Sequence, residues 1–438
     1  MATATGALFT DASAHLGPVA PQERIETLDI LRGFAILAIR IVNWTTDLLW
    51  DVNASAGWSG LADRASYWLV WLFWDEKSWP IFAFLFGLGF AVQMERIEAR
   101  GASVARLYSR RLLILFVIGA AHFILTERDI VFMYAMLGFL LLPMRKWPGR
   151  ALLVAAVVCL MIPWTLNTVE GSRQEALLRD PTLAAEARRK AEQQRAENTA
   201  RWAEHDRIEA TGSFSQIVRV RAGVWRERVS SWRSYVGWLG DPFPPFLLGL
   251  YVGRRRILHN VAANREFIRR GMLWSLVIGV IGLAGLAFLL TGGYPVFRES
   301  FVTQPGFLGR QLLRLLERFG SPALSLFYIG VITLLLQRPE WEPRLRPLAP
   351  VGRMALTNYL LQSVFFVLLF FGYGLGLDGQ VGAFGGFLLC LPVIAFQIVA
   401  SQWWLRRFRF GPAEWLWRTL TYGKLQPIRV EPVAAVTT

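Results

Sequence analysis

Cysteine and histidine are scarce in this chain of 438 residues, with two of the first and four of the second. Cys159 and Cys390 stand far apart, each inside an apolar block, so no disulfide framework can be read from them. No group of His, Cys, Asp and Glu has the spacing of ligands along the chain, and no metal is expected. The first 27 residues lack the basic-then-apolar layout of a secretory leader, which leaves the first apolar helix as the expected insertion signal. Period-two alternation is missing from the apolar blocks, and this excludes a closed β-barrel.

What the chain does have is oil. It is 54% hydrophobic, with 19 Trp and 30 Phe. A bilayer crossing needs roughly 20 mostly apolar residues, and about ten blocks qualify. They centre on 28–48, 80–94, 112–125, 130–144, 151–167, 238–252, 273–290, 322–336, 354–377 and 383–405. The expected fold is all-α, a polytopic membrane protein with about ten transmembrane helices and one long extracytoplasmic helical loop. Residues 1–23 form a flexible N-terminus, 24–168 carry helices one to five and 169–233 the helical loop; 234–405 carry helices six to ten and 406–438 an amphipathic tail. The aromatic run 68–74 lies in the interface or extends the second helix, kinked near Pro80.

The formal charge of +15 points to lipid headgroups and not to nucleic acid, because of where the arginines fall. Arg96, Arg100, Arg106, Arg110 and Arg111 follow the second block; Arg145, Lys146 and Arg150 follow the fourth. The exits of the sixth, eighth and tenth blocks are equally basic. The positive-inside rule then puts both termini in the cytoplasm. One loop, 295–319, breaks the pattern with four arginines. The segment 170–233 is rich in helix formers with both charge signs interspersed, which predicts a solvated helical excursion, and His205 within it is read as a surface residue.

Charged groups at bilayer depth cost about 2.5 to 3.5 kcal/mol each on insertion scales, so they mark function or a partner. On the first helix Asp29, Arg32, Arg40, Asn43 and Asp47 share a sector of roughly 80°. Asp29 and Arg32, three apart, either fix the helix end as an ion pair or bind phosphate. Asp75, Glu76 and Lys77 precede Ser78 and Pro80, an N-cap and first-turn signature. Asn358 and Gln362 are one turn apart and serve either as interhelical glue or as part of a site.

In "GAAHFILTERDIVFMYAMLG" two apolar helices meet in a hairpin whose tip is 126–129. His122 lies about one turn below the tip. It is the one histidine in any apolar block, and Glu127 and Asp129 are within seven residues of it. Asp129 opens the descending helix, where the dipole favours a carboxylate. The polar groups are expected to converge on one hydrated cavity.

"RIETLDILRGFAILAIRIVNW", "KSWPIFAFLFGLGF", "GAAHFILTERDIVFMYAMLG", "GRMALTNYLLQS" and "RFRFGPAEWLWRTLTYGKLQP" resemble the YeiB-like family of bacterial multi-pass proteins, whose C-terminal half is a domain of unknown function. The likeness spans about residues 24 to 430. A more distant similarity joins that family to transmembrane acyltransferases, including the lysosomal heparan glucosaminide acetyltransferase. The resemblance implies acyl transfer from cytoplasmic acyl-coenzyme A to an extracytoplasmic or envelope acceptor, a saccharide or lipid bearing a hydroxyl or amine. Asp29, Arg32, Gly33 and Asn43 match the first-helix motif; Lys77, His122, Asp129, Tyr134, Asn358, Tyr359, Gln362 and Ser363 match later ones. Arg40 departs from the family's small or apolar residue. The animal enzyme's histidine, in the loop after the first helix, has no counterpart in "NASAGWSGLAD".

On this reading His122 is the general base, oriented by Asp129 or Glu127. Lys77 polarises the acyl carbonyl or binds an anionic acceptor. Arg32, Arg110, Arg111 and Arg353 hold the donor's phosphates, with Asn43, Asn358 and Gln362 on the substrate path. Asp29, Gly33 and Tyr134 are structural. The rival class is a transporter of a small anionic or polar solute, with Arg40, Asn43 and Asp47 as its path. It lacks an internal repeat and paired broken helices.

Overall fold

A computed structural model describes residues 25–46, 60–291 except 102 and 128, and 306–430 except 372, 373, 378 and 379. Asp47 and Arg128 lie outside the described residues. Among those described the architecture is all helical, with one isolated bridge between Phe408 and Arg429. The first part comprises α1 (Glu26–Thr46), α2 (Leu61–Phe73), α3 (Ser78–Ala99), α4 (Val104–Thr126), α5 (Val131–Met144) and α6 (Gly149–Arg179). The excursion contributes α7 (Pro181–Thr211), α8 (Phe214–Ser230) and α9 (Trp232–Gly240). There follow α10 (Phe243–Arg254), α11 (Arg265–Thr291), α12 (Phe307–Leu335), α13 (Glu342–Leu345) and α14 (Leu348–Arg353). The last are α15 (Ala355–Phe370), α16 (Ala383–Leu405) and α17 (Pro412–Tyr422).

Among the described residues six helical spans are long and apolar enough to cross a membrane: Leu61–Ala99, Val104–Thr126, Gly149–Leu177, Arg265–Gly285, Phe307–Leu335 and Ala383–Leu405. The helices Val131–Met144 and Ala355–Phe370 are apolar but shorter. Ten crossings were expected, and length and charge explain the difference. α1 has the length but carries Glu26, Asp29, Arg32 and Arg40. The block expected at 238–252 is split between α9 and α10, and the 12 residues of α10 rise about 18 Å against a hydrocarbon core of roughly 30 Å. The expected kink at Pro80 is instead a turn over 74–77, where Glu76 takes a left-handed φ of 57°. Pro80 sits in the first turn of α3, where a missing N–H costs nothing.

The excursion begins where Asp180 caps α7 through the amides of Thr182 and Leu183, with Pro181 in the first turn. A capping box between Ser213 and Gln216 starts α8. The central core is aromatic: Phe246 of α10 meets Phe86 and Tyr134 at ring separations of 4.9 Å each. α1 and α14 cross at two glycines. A Cβ on Gly33 would run into the Leu348 carbonyl, and one on Gly352 into the Asp29 carbonyl. This crossing brings Arg32 beside Arg353, at the end of the bundle where α3 finishes and α4 begins.

Candidate functional site

That arginine-rich end holds two adjoining chambers. The shallower, about 150 Å³, is bordered by Asp29, Arg32, Gln93, Arg96, Arg353, Arg409, Glu414 and Arg418. The deeper, about 200 Å³, shares Arg32, Gln93, Arg353, Glu414 and Arg418 and adds Arg111. Its far part is apolar and aromatic: Phe82, Leu85, Phe86, Phe90, Leu115, Ile130, Tyr134 and Tyr359. Both carboxylates at the mouth are engaged. Asp29 pairs with Arg32 at 3.0 Å. Glu414 reaches from α17 to cap α15, accepting from the amides of Leu356 (2.6 Å) and Thr357 (3.0 Å) and from the Thr357 hydroxyl (2.5 Å). Burial pushes the Glu414 carboxyl up, and those donors pull it back. What remains is a guanidinium-lined mouth leading to an apolar pocket, the pattern that accepts an anionic head with an uncharged tail.

α17 is the wall of this cavity. The Trp417 indole N–H donates to the Arg111 carbonyl at 2.9 Å, and the Arg111 guanidinium lies 3.8 Å from the Trp417 ring centre. Its amphipathic, tryptophan-rich sequence reads equally well as a surface anchor, so the sequence does not mark Glu414 and Arg418 as cavity residues. Arg110 behaves differently from its neighbour. One residue turns the helix by 100°, and Arg110 projects into the open, outside the cavity lining.

Beyond the cavity stands the hairpin histidine. His122, on α4, is buried, and its Nδ1 lies 2.7 Å from Asp129 Oδ2. The other carboxylate oxygen accepts from the Phe132 amide at 2.8 Å and so caps the start of α5. Gly119 permits this approach, since a Cβ there would meet Asp129 Oδ1 and the Phe132 amide. With the carboxylate ionised and the imidazole neutral, Nδ1 carries the proton and Nε2 presents a lone pair. Nε2 is buried and has no hydrogen-bond partner among the described residues. A base held by a third group with its far nitrogen free is the layout of general-base sites.

Tyr359, on α15, completes the cluster. Its hydroxyl accepts from the Ile130 amide at 3.2 Å and hydrogen-bonds the Asp129 carboxylate. Its ring centre is 5.1 Å from that of His122. Tyr359 borders the deeper chamber and His122 does not.

The remaining expected site residues are placed elsewhere. Lys77 is buried in the turn before α3 and donates to the Trp71 carbonyl at 2.6 Å, satisfying an orphan acceptor at the end of α2. It borders neither chamber. Asn358 and Gln362 belong to a ladder with Gln397 and Ser401 of α16. Asn358 donates to Ser401 (3.0 Å) and the Val351 carbonyl, Gln362 to Gln397 (3.2 Å) and the Ile36 carbonyl. These amides tie α1, α15 and α16 together, and they lie outside the cavity lining. Asn43 is half-buried and also outside it. Tyr134 is the exception, bordering the deeper chamber, and it donates to the Trp79 carbonyl at 3.0 Å. Arg40 is fully buried, 4.1 Å above the Trp44 ring, and none of its three guanidinium nitrogens has a hydrogen-bond partner among the described residues.

His205, read as a surface residue, is buried. Its Nε2 meets Glu127 Oε2 at 2.7 Å and its Nδ1 meets Asp206 Oδ1 at 3.3 Å. Both ring nitrogens face carboxylates, so the ring is an imidazolium, and Glu127 raises its pKa to about 9. Arg221 of α8, also buried, pairs with Glu209 at 2.6 Å and bonds the Leu125 carbonyl. Together these clamp the excursion onto the α4–α5 tip. Glu127 therefore serves His205, which leaves Asp129 to hold His122. The donor atoms of Glu127, His205 and Glu209 lie within 4.8 Å of one another, a spacing a metal ion can use. The same three residues are engaged by the protonated ring and by the Arg221 contact. Glu127 is far in sequence from the other two, so chain spacing did not signal the group.

Two family profiles match. Residues 24–185 match the catalytic region of heparan-alpha-glucosaminide N-acetyltransferase, and residues 252–424 match a protein of unknown function, DUF418. The first range holds Arg32, Arg111, His122 and Asp129; the second holds Arg353, Tyr359, Glu414 and Arg418. The uncharacterized protein YxaH of Bacillus subtilis (strain 168) is 33% identical over 95% of this chain and 98% of its own. An uncharacterized 39.9 kDa protein from the amylase 3′ region of Bacillus acidopullulyticus is 28% identical over 96% and 100%. The uncharacterized protein YeiB of Escherichia coli (strain K12) is 28% identical over 92% and 98%. With end-to-end similarity at these levels, the chain belongs to the YeiB-like family.

Proposed function

We propose that the protein is an integral membrane acyltransferase that moves an acyl group from cytoplasmic acyl-coenzyme A to a hydroxyl or amine of an envelope saccharide or lipid. The arginine-rich end faces the cytoplasm of the bacterial inner membrane and the hairpin tip faces outward, as the distribution of Lys and Arg favours. The observation that carries the reading is the cavity itself, arginines at its mouth and an apolar interior ending on Tyr359, which packs against the His122–Asp129 pair. The match of residues 24–185 to an N-acetyltransferase catalytic region supports it.

Arg32, Arg111, Arg353 and Arg418 bind the donor's phosphates as charge-assisted partners. The aromatic chamber takes the uncharged arm and leads the thioester toward the hairpin. His122 Nε2 takes the proton of the acceptor O–H or N–H while the acceptor atom bonds to the acyl carbon. The C–S bond then breaks, and the thiolate leaves with the proton from the imidazolium. Asp129 keeps the ring in the tautomer that this requires and balances its charge.

The test is a titration of the detergent-purified protein with acetyl-coenzyme A, together with transfer of a labelled acetyl group to membrane lipids and saccharides. Loss of one phosphate-binding guanidinium, in Arg111→Ala or Arg353→Ala, weakens binding by roughly ten- to a hundredfold. His122→Ala leaves binding intact and reduces transfer by roughly a hundred- to ten-thousandfold. Failure of every acyl-coenzyme A to bind would overturn the enzyme reading in favour of a solute carrier.

A further inference from the structure

Acyl transfer by His122 requires the thioester and the imidazole to meet, and the structure separates them. The deeper chamber reaches Ile130 and Tyr359, whereas the Nε2 of His122 is buried outside it. One side chain touches both. Tyr359 is buried, borders the chamber, and packs its ring against the imidazole at a centre-to-centre distance of 5.1 Å.

Its position is fixed from the hairpin side. The phenol oxygen accepts from the amide of Ile130, the residue after Asp129, so Tyr359 is tied to the same turn whose carboxylate holds His122. A buried phenol normally finds a hydrogen-bond partner. Here the bond holds a bulky ring at the limit of a cavity and against a base.

We infer that Tyr359 is a gate: its ring closes the donor cavity off from His122, its hydroxyl latches it shut on the α4–α5 turn, and a rotamer change joins the two spaces. The same residue is a positioning residue for His122, because its latch and the imidazole's orienting bond share the Ile130–Asp129 turn. The inference takes its purpose from the acyl-transfer reading, but its test does not depend on it.

The chain has two cysteines, Cys159 and Cys390, so a cysteine-free background needs two alanine substitutions. In that background His122→Cys reports the far side of the gate and Leu115→Cys, which borders the chamber, reports the near side. Each is labelled with sulfonatoethyl methanethiosulfonate, a small anionic reagent suited to an arginine-lined mouth, in vesicles that expose the arginine-rich end. With tyrosine at 359, position 115 reacts and position 122 reacts slowly. Tyr359→Phe keeps the ring and removes the latch, and accelerates labelling at 122 by roughly tenfold or more, since the hydroxyl's bonds to the Ile130 amide and the Asp129 carboxylate are both lost. Tyr359→Ala removes the partition and gives a larger acceleration, with the rate at 115 unchanged in both.

Equal rates at position 122 with Tyr, Phe and Ala at 359 would refute the gate. So would an unreactive position 115, since a gate needs an open cavity behind it. No acyl transfer is read in this experiment, so failure of the proposed reaction leaves its outcome standing. In an active preparation the positioning role has its own readout: Tyr359→Phe shifts the pH profile of transfer with little change in donor binding.

Discussion

Asp129 lies two residues after Glu127, and the two carboxylates hold two different histidines, Asp129 taking His122 of the hairpin and Glu127 taking His205 of the excursion, each at 2.7 Å. One turn therefore supports both the buried imidazole of His122 and the clamp beside it. Asp129→Asn preserves the shape but offers an amide N–H or a weaker acceptor to Nδ1, which frees the imidazole to adopt the wrong tautomer. Transfer is expected to fall about a thousandfold or more while acetyl-coenzyme A binding is retained. Parallel loss of binding would assign the effect to misfolding.

The clamp is pH-dependent in a direction that the geometry sets. Glu127 raises the His205 pKa from 6.5 to about 9. A raised folded-state pKa contributes stability that is complete below about 6.5 and is lost as pH climbs through about 9. Hydrogen exchange in α7 is expected to quicken between pH 8 and 10 by more than the intrinsic base-catalysed increase. Glu127→Gln should abolish that extra pH dependence, and a mutant retaining it would place the titration elsewhere.

Arg40 has no hydrogen-bond acceptor among the described residues, and its contact with Trp44 returns only part of the desolvation cost. Arg40→Met keeps the length and the packing while removing the charge. It is expected to stabilise the protein by ~1–3 kcal/mol, seen as a higher midpoint of thermal unfolding in detergent. A fall in the midpoint would mean that the guanidinium has a stabilising partner beyond the described residues.

Glu414→Gln removes the charged cap of α15 and is expected to cost about 1–2 kcal/mol. Because Glu414 borders the guanidinium-lined mouth, removing its charge should also tighten binding of a phosphate-bearing donor at low ionic strength, an effect that added salt suppresses. Calorimetric titration at two salt concentrations separates the two effects.

The apolar blocks made the helical architecture readable, because hydropathy over roughly 20 residues is a local property. Their number was harder to read, since α10 is apolar yet too short to span, and α1 is long enough yet striped with charge. Of the site, the pairing of His122 with an acid of its own hairpin was legible because the partners are seven residues apart. The fate of Lys77 depended on a turn at 74–77, and that of Asn358 and Gln362 on Gln397 and Ser401, which approach only through the packing of α15 on α16. Single-sequence reading also missed Arg418 and Glu414, whose amphipathic helix gives the same pattern whether it lies on lipid or closes a cavity. Conversely, Arg110 and Arg111 look interchangeable in the sequence, and only the helix rotation distinguishes them.

The chamber mouth is assembled from both extremes of the described chain: Arg32 comes from the first helix and Arg418 from the seventeenth. While the chain is still on the ribosome, the early helices can enter the bilayer but cannot yet form a receptor for the anion. On the proposed function, ligand capture thus begins only after translation has passed α17, and a chain stopped before it would not bind the donor.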